Sequence, residues 1–328
     1  MARLLYTVDD LVSEVRGALD EENTDSISTS TDILPTLNRG INFAFDIYAR
    51  VYPEPILKYS TLDLVNGTAE YTIPEDAFED RIQKLEITIP SGSLSSQEDI
   101  QRISFRDISE YESQSKSSVP QYYCIYGRTI RLVPTPDGTY DSRLWYLREP
   151  DQLVLKQGRI TNINTGSLYI DVDTLGSSLS SNVDDLESYV NIIDGQTGEI
   201  KSSLQIQTLT TATKRITFRS SPSQSSVLGR TIASTVSSTI QRNDYVCLVQ
   251  GTCVPFYGSP TNNFLVQFAV AELTRKLGGS ASTEQEILDK FEKQVSRTGY
   301  SRGNIIRIKK VNPIWSGQSR RRIYPRTS

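Results

Sequence analysis

Residue types that commonly perform catalysis are scarce in this sequence. Its 328 residues contain no histidine, which removes the commonest general base and the commonest neutral metal ligand. The three cysteines, Cys124, Cys247 and Cys253, show no C-x-x-C spacing. Because their number is odd and no signal peptide precedes them, we interpret them as reduced, buried thiols of a cytoplasmic protein.

Carboxylates remain as groups that could bind a metal or catalyse hydrolysis. The aspartates of the inserted region that could suggest a calcium site are Asp171, Asp173, Asp184, Asp185 and Asp194. Their spacing does not follow that of a calcium-binding loop, and the sequence marks no pair typical of a glycosidase. A carboxylate pair assembled by the fold is the remaining enzymatic alternative. We therefore expect no metal, no cofactor and no enzymatic activity.

Charge is distributed unevenly along the chain. Ten of the 35 basic residues follow Glu292, and no acidic residue does, so residues 1–292 hold 25 basic against 39 acidic side chains. The first 292 residues therefore carry a net charge of −14 and precede a basic C-terminal segment. Such a segment predicts binding to an acidic protein surface or to phosphate.

Two N-terminal helices are predicted to support this acidic body. The first starts with a capping-box pattern, the hydroxyl of Thr7 with the carboxylate of Asp10 three residues later. The second is capped by Thr31 or Asp32 and ends before Pro53. Apolar residues recur at helical spacing in both.

Strands are predicted from residue 57 onwards. Asn66-Gly67 is a typical hairpin turn, so we expect the strands on either side of it to pair with each other. Residues 81–89 alternate between apolar and polar side chains and predict another strand. Residues 91–98 are polar and predict a loop.

A β-meander is predicted further along. Tyr122–Tyr126 and Thr129–Val133 form two strands joined by a tight turn at Gly127. Residues 134–138 contain two prolines and a glycine, and reverse the chain into an aromatic strand that starts at Tyr140.

Residues 151–254 predict a second β unit inserted after the meander. Six short strand candidates alternate with turns, among them a turn at residues 195–198. Several short strands with regular turns are typical of a small β-sandwich or a small barrel, and the sequence leaves both open.

A helix of residues 260–277 is apolar on most of its sides. It either lies at the centre of a helical bundle or contacts a neighbouring subunit. The residues assigned to a subunit interface are Phe264, Phe268, Val270 and Leu273. A last helix starts near Thr283. The remaining residues show no helical period, and a short strand is expected at residues 304–311.

The order of these motifs resembles that of adaptor proteins, also called neck or head-to-tail connector proteins, of tailed bacteriophages. The resemblance lies in the second helix, LNRGINFAFDIYARVYP, and in the region VPQYYCIYGRTIRLVPTPDGTYDSRLWYLREP. There, a paired Tyr and a Gly precede an alternating strand that ends in Pro-x-Pro, and an aromatic strand closes with Glu-Pro. The resemblance covers roughly residues 5–150 and 255–300.

The resemblance implies an α+β fold. The N-terminal helices (residues 1–56) and the C-terminal helices (255–298) would form a helical bundle. A β domain (57–150) and an inserted β-sandwich or barrel (151–254) would lie between them, and an extended basic tail (299–328) would follow.

The resemblance also implies a structural role without catalysis. Such adaptors form a dodecameric ring between the portal and the tail tube or nozzle, and DNA passes through the lumen without specific binding. The expected partners are thus other copies of this chain, the portal protein and a tail protein. No membrane is involved, because no apolar run is long enough to span one. The expected location is the neck of the virion, after assembly in the host cytoplasm.

The basic C-terminal residues are the expected portal-binding site. These residues are Arg307, Lys309, Lys310, Trp315, Arg320, Arg321 and Arg322. The alternative is a nucleic-acid-binding protein that uses the same basic tail, although aromatic residues are few and the body is acidic.

Overall fold

The computed structural model describes residues 5–19, 27–91, 94–112, 117–255, 259–280 and 283–310. The five α-helices are α1 (Val8–Ala18), α2 (Leu34–Val51), α3 (Ile108–Glu112), α4 (Ser259–Lys276) and α5 (Glu284–Lys310). The described strands all lie between α2 and α4. The mixed α+β architecture expected from the sequence is confirmed.

The two N-terminal helices start in different ways. At α1, the Thr7 N–H donates a hydrogen bond of 2.7 Å to the Asp10 carboxylate, as the capping-box pattern predicts. At α2, the expected cap at Thr31 or Asp32 is wrong. A π-helical turn (Thr29–Ile33) precedes the helix, and Ser28 is its N-cap. Asp32 instead accepts a hydrogen bond from the Ser28 N–H at 2.8 Å.

Helices α1, α2, α4 and α5 share one hydrophobic core. The ring of Phe264 on α4 stacks on that of Phe291 on α5, with 4.2 Å between the ring centroids. Gly40 allows α2 to approach α4 closely, since a Cβ there would lie 3.0 Å from Leu265 and 3.1 Å from Phe268. Each fully buried side chain of this size contributes about 1.5–3 kcal/mol.

The first β unit is a seven-stranded sheet that we call the half-barrel. Its strands are β1 (Leu57–Leu64), β2 (Glu70–Thr72), β3 (Ala77–Ser91), β4 (Leu94–Arg102), β5 (Tyr122–Tyr126), β6 (Thr129–Val133) and β7 (Tyr140–Arg148). Their order in the sheet is β1-β7-β3-β4-β5-β6-β2. Leu85, Leu144 and Tyr146 lie in the core on its inner face.

Strand pairing in the half-barrel differs from the expected pairing. The hairpin of β5 and β6 is confirmed, with Gly127 at a φ of +54° in its turn. The meander is wrong, because β7 does not pair with β6 but lies between β1 and β3. The hairpin expected at Asn66-Gly67 is also wrong, since β1 pairs with β7 and β2 pairs with β6. Alternation determines which face of a strand is buried, but it does not determine the neighbouring strand.

The loop expected at residues 91–98 is wrong as well. Strand β4 begins at Leu94 and pairs with β3 in antiparallel register. Residues 96–99 are exposed, so this strand lacks the apolar face that makes strands recognisable in a sequence.

The second β unit contains a closed barrel. Strands β8 to β17 are β8 (Gln152–Leu153), β9 (Gly158–Asn164), β10 (Tyr169–Val172), β11 (Tyr189–Ile193), β12 (Ile200–Thr210), β13 (Arg215–Phe218), β14 (Ser226–Val227), β15 (Arg230–Ala233), β16 (Tyr245–Leu248) and β17 (Gly251–Thr252). Six of them run in the order β11-β16-β9-β10-β13-β12, and β12 pairs with β11 to close the ring. Of the two alternatives, the barrel is therefore correct, and the expected turn at residues 195–198 joins β11 to β12.

A two-stranded parallel ribbon connects the barrel to the helices. Strand β8 leads into the barrel, and β17 leads out of it beside β8. Asn38 on α2 holds this ribbon: its side-chain amide donates to the Leu153 carbonyl at 3.1 Å and accepts from the Leu153 N–H at 2.7 Å. Helix α1 contributes the Val8 N–H, which donates to the Cys253 carbonyl at 2.9 Å.

Helix α5 is longer than the sequence indicated. Residues 304–310 continue α5, so the strand expected at residues 304–311 is wrong for them. The extended tail expected from residue 299 is wrong for residues 299–310 for the same reason. A helix propagates with one hydrogen bond per residue, and residues 284–312 contain no proline, so a weak apolar period does not end the helix. Residues 311–328 lie outside the described residues. None of the described helices is long and apolar enough to cross a membrane.

We predict that Asn38→Ala destabilises the protein by about 1–3 kcal/mol, because the Leu153 N–H and carbonyl lose their partner. Urea denaturation measures the change in the free energy of unfolding. Asn263→Ala, at an exposed position of α4, is the matched control and is expected to stay within about 0.5 kcal/mol of wild type. Equal stability of the two variants would contradict the anchoring role of Asn38.

Candidate assembly interface

Helix α4 holds the four residues expected at a subunit interface. Phe264, Phe268 and Leu273 are 4%, 0% and 2% exposed within a single chain, whereas Val270 is half-buried. The core that they form with α2 and α5 accounts for the apolar character of the first three. Contact with a second copy stays a prediction, and Val270 is the residue of the four that retains exposed surface for it.

A charged pair lies over this helix contact. Arg39 on α2 forms an ion pair with Glu272 on α4, and its guanidinium lies 5.4 Å from the centre of the Phe268 ring. Arg50 on α2 pairs with Glu292 on α5 at 3.1 Å. These pairs link α2 to both C-terminal helices at the exposed margin of the core.

The structure places only part of the expected portal-binding site. Arg307, Lys309 and Lys310 lie in the last turns of α5. Trp315 and the three arginines at residues 320–322 lie outside the described residues. Portal binding by these seven residues therefore stays a prediction.

A chain of alternating charges joins the half-barrel to the inserted barrel. Asp151, at the start of the inserted unit, forms ion pairs with both Arg148 of β7 and Arg230 of β15. Arg148 also lies 3.8 Å from Asp76, which pairs with Lys58 of β1 at 2.6 Å. This junction network lines a cleft of about 1030 Å³ between the two β units.

Burial and hydrogen bonding act in opposite directions on the carboxylate of Asp76. Burial by itself raises the pKa of Asp76, but hydrogen bonds from Lys58 and Tyr146 and the charges of Lys58 and Arg148 outweigh it, so the pKa is lowered. Burial and the hydrogen bond to Asp76 raise the pKa of Tyr146. Asp76 is thus charged at neutral pH and holds Lys58 and Tyr146 in place.

Four of the five aspartates considered as calcium ligands have structural partners instead. Asp171 pairs with Arg215 at 2.7 Å, Asp194 with Lys201 at 3.0 Å, and Asp173 with Arg159 at 3.5 Å. Asp185 accepts a hydrogen bond from Ser180 at 2.6 Å. Within the described residues, no group of three or more carboxylates and thiols could hold a metal ion.

The three cysteines are free and fully buried, as their interpretation required. Burial raises the pKa of the Cys124 thiol, and a hydrogen bond with Cys247 together with burial raises that of Cys253. Thiols of this kind are poor nucleophiles, because the thiolate is the reactive form.

Asn38 and the junction residues were not identified from the sequence. Their partners are distant in the chain, since Asn38 bonds to Leu153 and Asp151 pairs with Arg230. The only local sign of the junction was the change at Pro150 from the strand pattern of the half-barrel to that of the inserted unit.

We predict that Asp76→Asn lowers stability by about 1 kcal/mol at pH 7, a value reduced by the partial exposure of the side chain. Because the folded-state pKa of Asp76 is below its unfolded value, its contribution is present above the unfolded pKa of about 4. It is lost as the pH falls through the folded-state pKa. Thermal unfolding at pH 7 and at pH 3 should therefore show the difference from wild type shrinking.

Asp46→Asn serves as the control, because Asp46 is exposed on α2. It is expected to leave stability within about 0.5 kcal/mol of wild type at pH 7. A difference for Asp76→Asn that stays constant from pH 7 to pH 3 would contradict the role assigned to its charge.

Comparison with known proteins identifies the family of this chain. A family model described as SU10 adaptor protein matches residues 6–173, which is just over half of the chain. The match spans α1, α2, the half-barrel, β8 and the first two strands of the barrel. No curated protein matches the chain. The chain therefore belongs to the SU10 adaptor protein family, a family of phage head-to-tail adaptors.

Proposed function

We propose that the chain forms a dodecameric ring in the neck of the virion, between the portal and the tail tube or nozzle. Membership of the SU10 adaptor family is the observation that carries this proposal. A ring needs a heterologous interface, in which two different surfaces of the same chain meet and the rotation between copies closes. The helices α1, α2, α4 and α5 form the bundle of each subunit, and Val270 contributes to the contact between subunits.

The charge of the chain fits a passage for DNA. Residues 1–292 carry a net charge of −14, so their average surface repels phosphate. Fixed contacts between basic side chains and the DNA backbone would slow the genome. The lumen of the proposed ring therefore conducts DNA without binding it specifically.

The basic C-terminal segment is the proposed portal contact. A helix that carries Arg307, Lys309 and Lys310 leads into a segment with Trp315 and three consecutive arginines. Ordering such a segment costs conformational entropy, which charge pairing and burial of Trp315 on an acidic portal surface would offset. The protein acts through contacts and performs no catalysis.

Imaging of the purified chain by negative-stain electron microscopy, alone and with portal protein, tests the ring. We expect rings with twelvefold symmetry in the presence of the portal. Single subunits alone and rings with the portal would indicate assembly on the portal as a template. Single subunits under both conditions, at protein concentrations of several μM, would contradict the proposal.

Removal of residues 311–328 separates portal binding from binding to nucleic acid. We expect the truncated chain to lose attachment to the portal in co-sedimentation, whereas its weak retention of DNA in a gel-shift assay stays unchanged. Substitution of Asp184 and Glu187 by Asn and Gln, at exposed positions of the inserted unit, is the control and is expected to preserve attachment. Loss of tight DNA binding with intact portal attachment would favour the nucleic-acid-binding alternative.

A further inference from the structure

The half-barrel has an open edge at β1. All eight residues of β1 pair with β7, from Leu57 opposite Leu147 to Leu64 opposite Tyr140. Within the described residues, no strand pairs with the other side of β1. Every second residue of β1 therefore points its N–H and carbonyl away from the sheet.

This edge lacks the features that usually prevent edge strands from pairing. Its register with β7 is unbroken by a bulge, and β1 contains no proline. The charged residues Lys58 and Asp63 lie near its ends, and the four residues between them are uncharged. A long, regular and uncharged edge is a template for another strand.

An unneutralised pair of carboxylates lies beside this edge. Asp63 of β1 is directly opposite Asp141 of β7, and both are exposed. In the described part of the chain, neither forms an ion pair or a side-chain hydrogen bond. Like charges directly opposite each other destabilise a sheet, and their Cβ atoms are about 4.5–5.5 Å apart. Arg143, opposite Thr61 on this face, has its guanidinium 5.7 Å from the centre of the Tyr59 ring, and within the described residues it forms no ion pair with either carboxylate. The site therefore favours a further cation supplied by whatever lies against the edge.

Aromatic surface continues from this acidic pair along the same face of β1. Tyr59 is 51% exposed, and its ring centre lies 5.0 Å from that of Trp145. Because side chains alternate along a strand, Tyr59, Thr61 and Asp63 lie on one face. A matching strand needs a cation and an aromatic residue four positions apart.

The C-terminal segment has this pattern. Residues 320–324 read Arg-Arg-Arg-Ile-Tyr, with Arg320, Arg322 and Tyr324 on one face of an extended strand. In antiparallel register, Arg320 opposite Asp63 aligns Arg322 with Thr61 and Tyr324 with Tyr59. A single register thus forms both a charge pair and an aromatic pair across the strands. Residues 311–328 contain four basic residues and no acidic one.

The direction of the helices sets the end of the helical core from which this segment starts. Helix α4 is antiparallel to α2, since Thr261 contacts Tyr48 and Lys276 pairs with Asp32. Helix α5 returns along α2, and its Glu292 pairs with Arg50 in the last turn of α2. It therefore leaves the helical core at the end where β1 starts. Helix α5 continues for 18 residues past Glu292, about 27 Å, and the ten residue steps from Lys310 to Arg320 span up to about 35 Å.

We propose that residues 320–324 pair with the open edge of β1 of the same chain as an added antiparallel strand. Arg320 then lies opposite Asp63, and Tyr324 lies opposite Tyr59. The pairing lasts until a partner protein binds the segment. This deepens the proposed function, because the same segment is the proposed portal contact. The portal would then compete with β1 for one strand. The tests below use this chain alone. Pairing with β1 can therefore fail while portal binding is observed, and portal binding can fail while pairing with β1 is observed.

Hydrogen exchange of the full-length chain tests the pairing. We expect the outward-facing amides of β1 to exchange about tenfold or more slowly in wild type than in a variant with Arg320, Arg321 and Arg322 changed to Glu. Residues 96–99 of β4 are the internal control and should exchange equally in both proteins. The double substitution Asp63→Lys with Asp141→Lys should remove the protection of the β1 amides when the tail is wild type. In the variant with Glu at positions 320–322, the same double substitution should restore that protection, because opposite charges then face each other again.

Three outcomes would overturn the proposal. One is rapid exchange of β1 in wild type. Another is protection that persists when the tail charges are reversed, since that would identify a different occupant. A third is protection that disappears on dilution, which would assign the segment to a second copy.

Disulfide trapping tests the register. In the full-length chain, Thr61→Cys with Arg322→Cys places two thiols directly opposite each other, and both are expected to disappear under mild oxidation. Thr61→Cys with Arg321→Cys is the matched control: it removes the same charge, but the second thiol faces the other side of the strand. Equal loss of thiols in the two variants would show that the tail samples this region without pairing, and would overturn the proposal.

Discussion

The position of the inserted barrel depends on a few hydrogen bonds to the backbone of a short ribbon, that of β8 and β17. Strand β8 is only two residues long, and its Leu153 is held by the side-chain amide of Asn38 as well as lying beside β17. Each of these bonds is worth about 1 kcal/mol, and a buried backbone group without a partner costs more than that. The helical core and the barrel are each stabilised by their own apolar contacts, so this ribbon decides their relative position rather than their existence.

The junction network acts at the second point of contact between units. Arg148, Asp151 and Arg230 have side chains that are 14%, 17% and 22% exposed, so their charges are only partly screened by water. Such a network costs desolvation energy and contributes little net stability, but it penalises any other arrangement that would leave a buried charge unpaired. Together with Asn38, it links the inserted unit to the rest of the chain through specific polar contacts.

Much of the fold could be predicted from local patterns. The capping box at Thr7, the turn at Gly127 and the turn at residues 195–198 are short-range features, and the structure has all three. The position of β7 could not be predicted, because period-two alternation is identical whichever strand lies beside it. Strand β4 was missed since its exposed residues are polar, and Arg230 was missed because its partner is distant in the sequence. The interface residues on α4 illustrate a further ambiguity: burial inside one chain and burial between chains require the same apolar side chains.

The parallel ribbon of β8 and β17 has a consequence for how such proteins diversify. Paired strands lie about 4.8 Å apart, so the chain leaves the helical frame and returns to it at almost the same point. A unit with neighbouring ends can be exchanged for a short loop, or for an unrelated module, at a small cost in loop-closure entropy. Relatives with the same helical frame can therefore carry different appendages at this position, and natural selection can alter the inserted unit without rebuilding the frame that holds it.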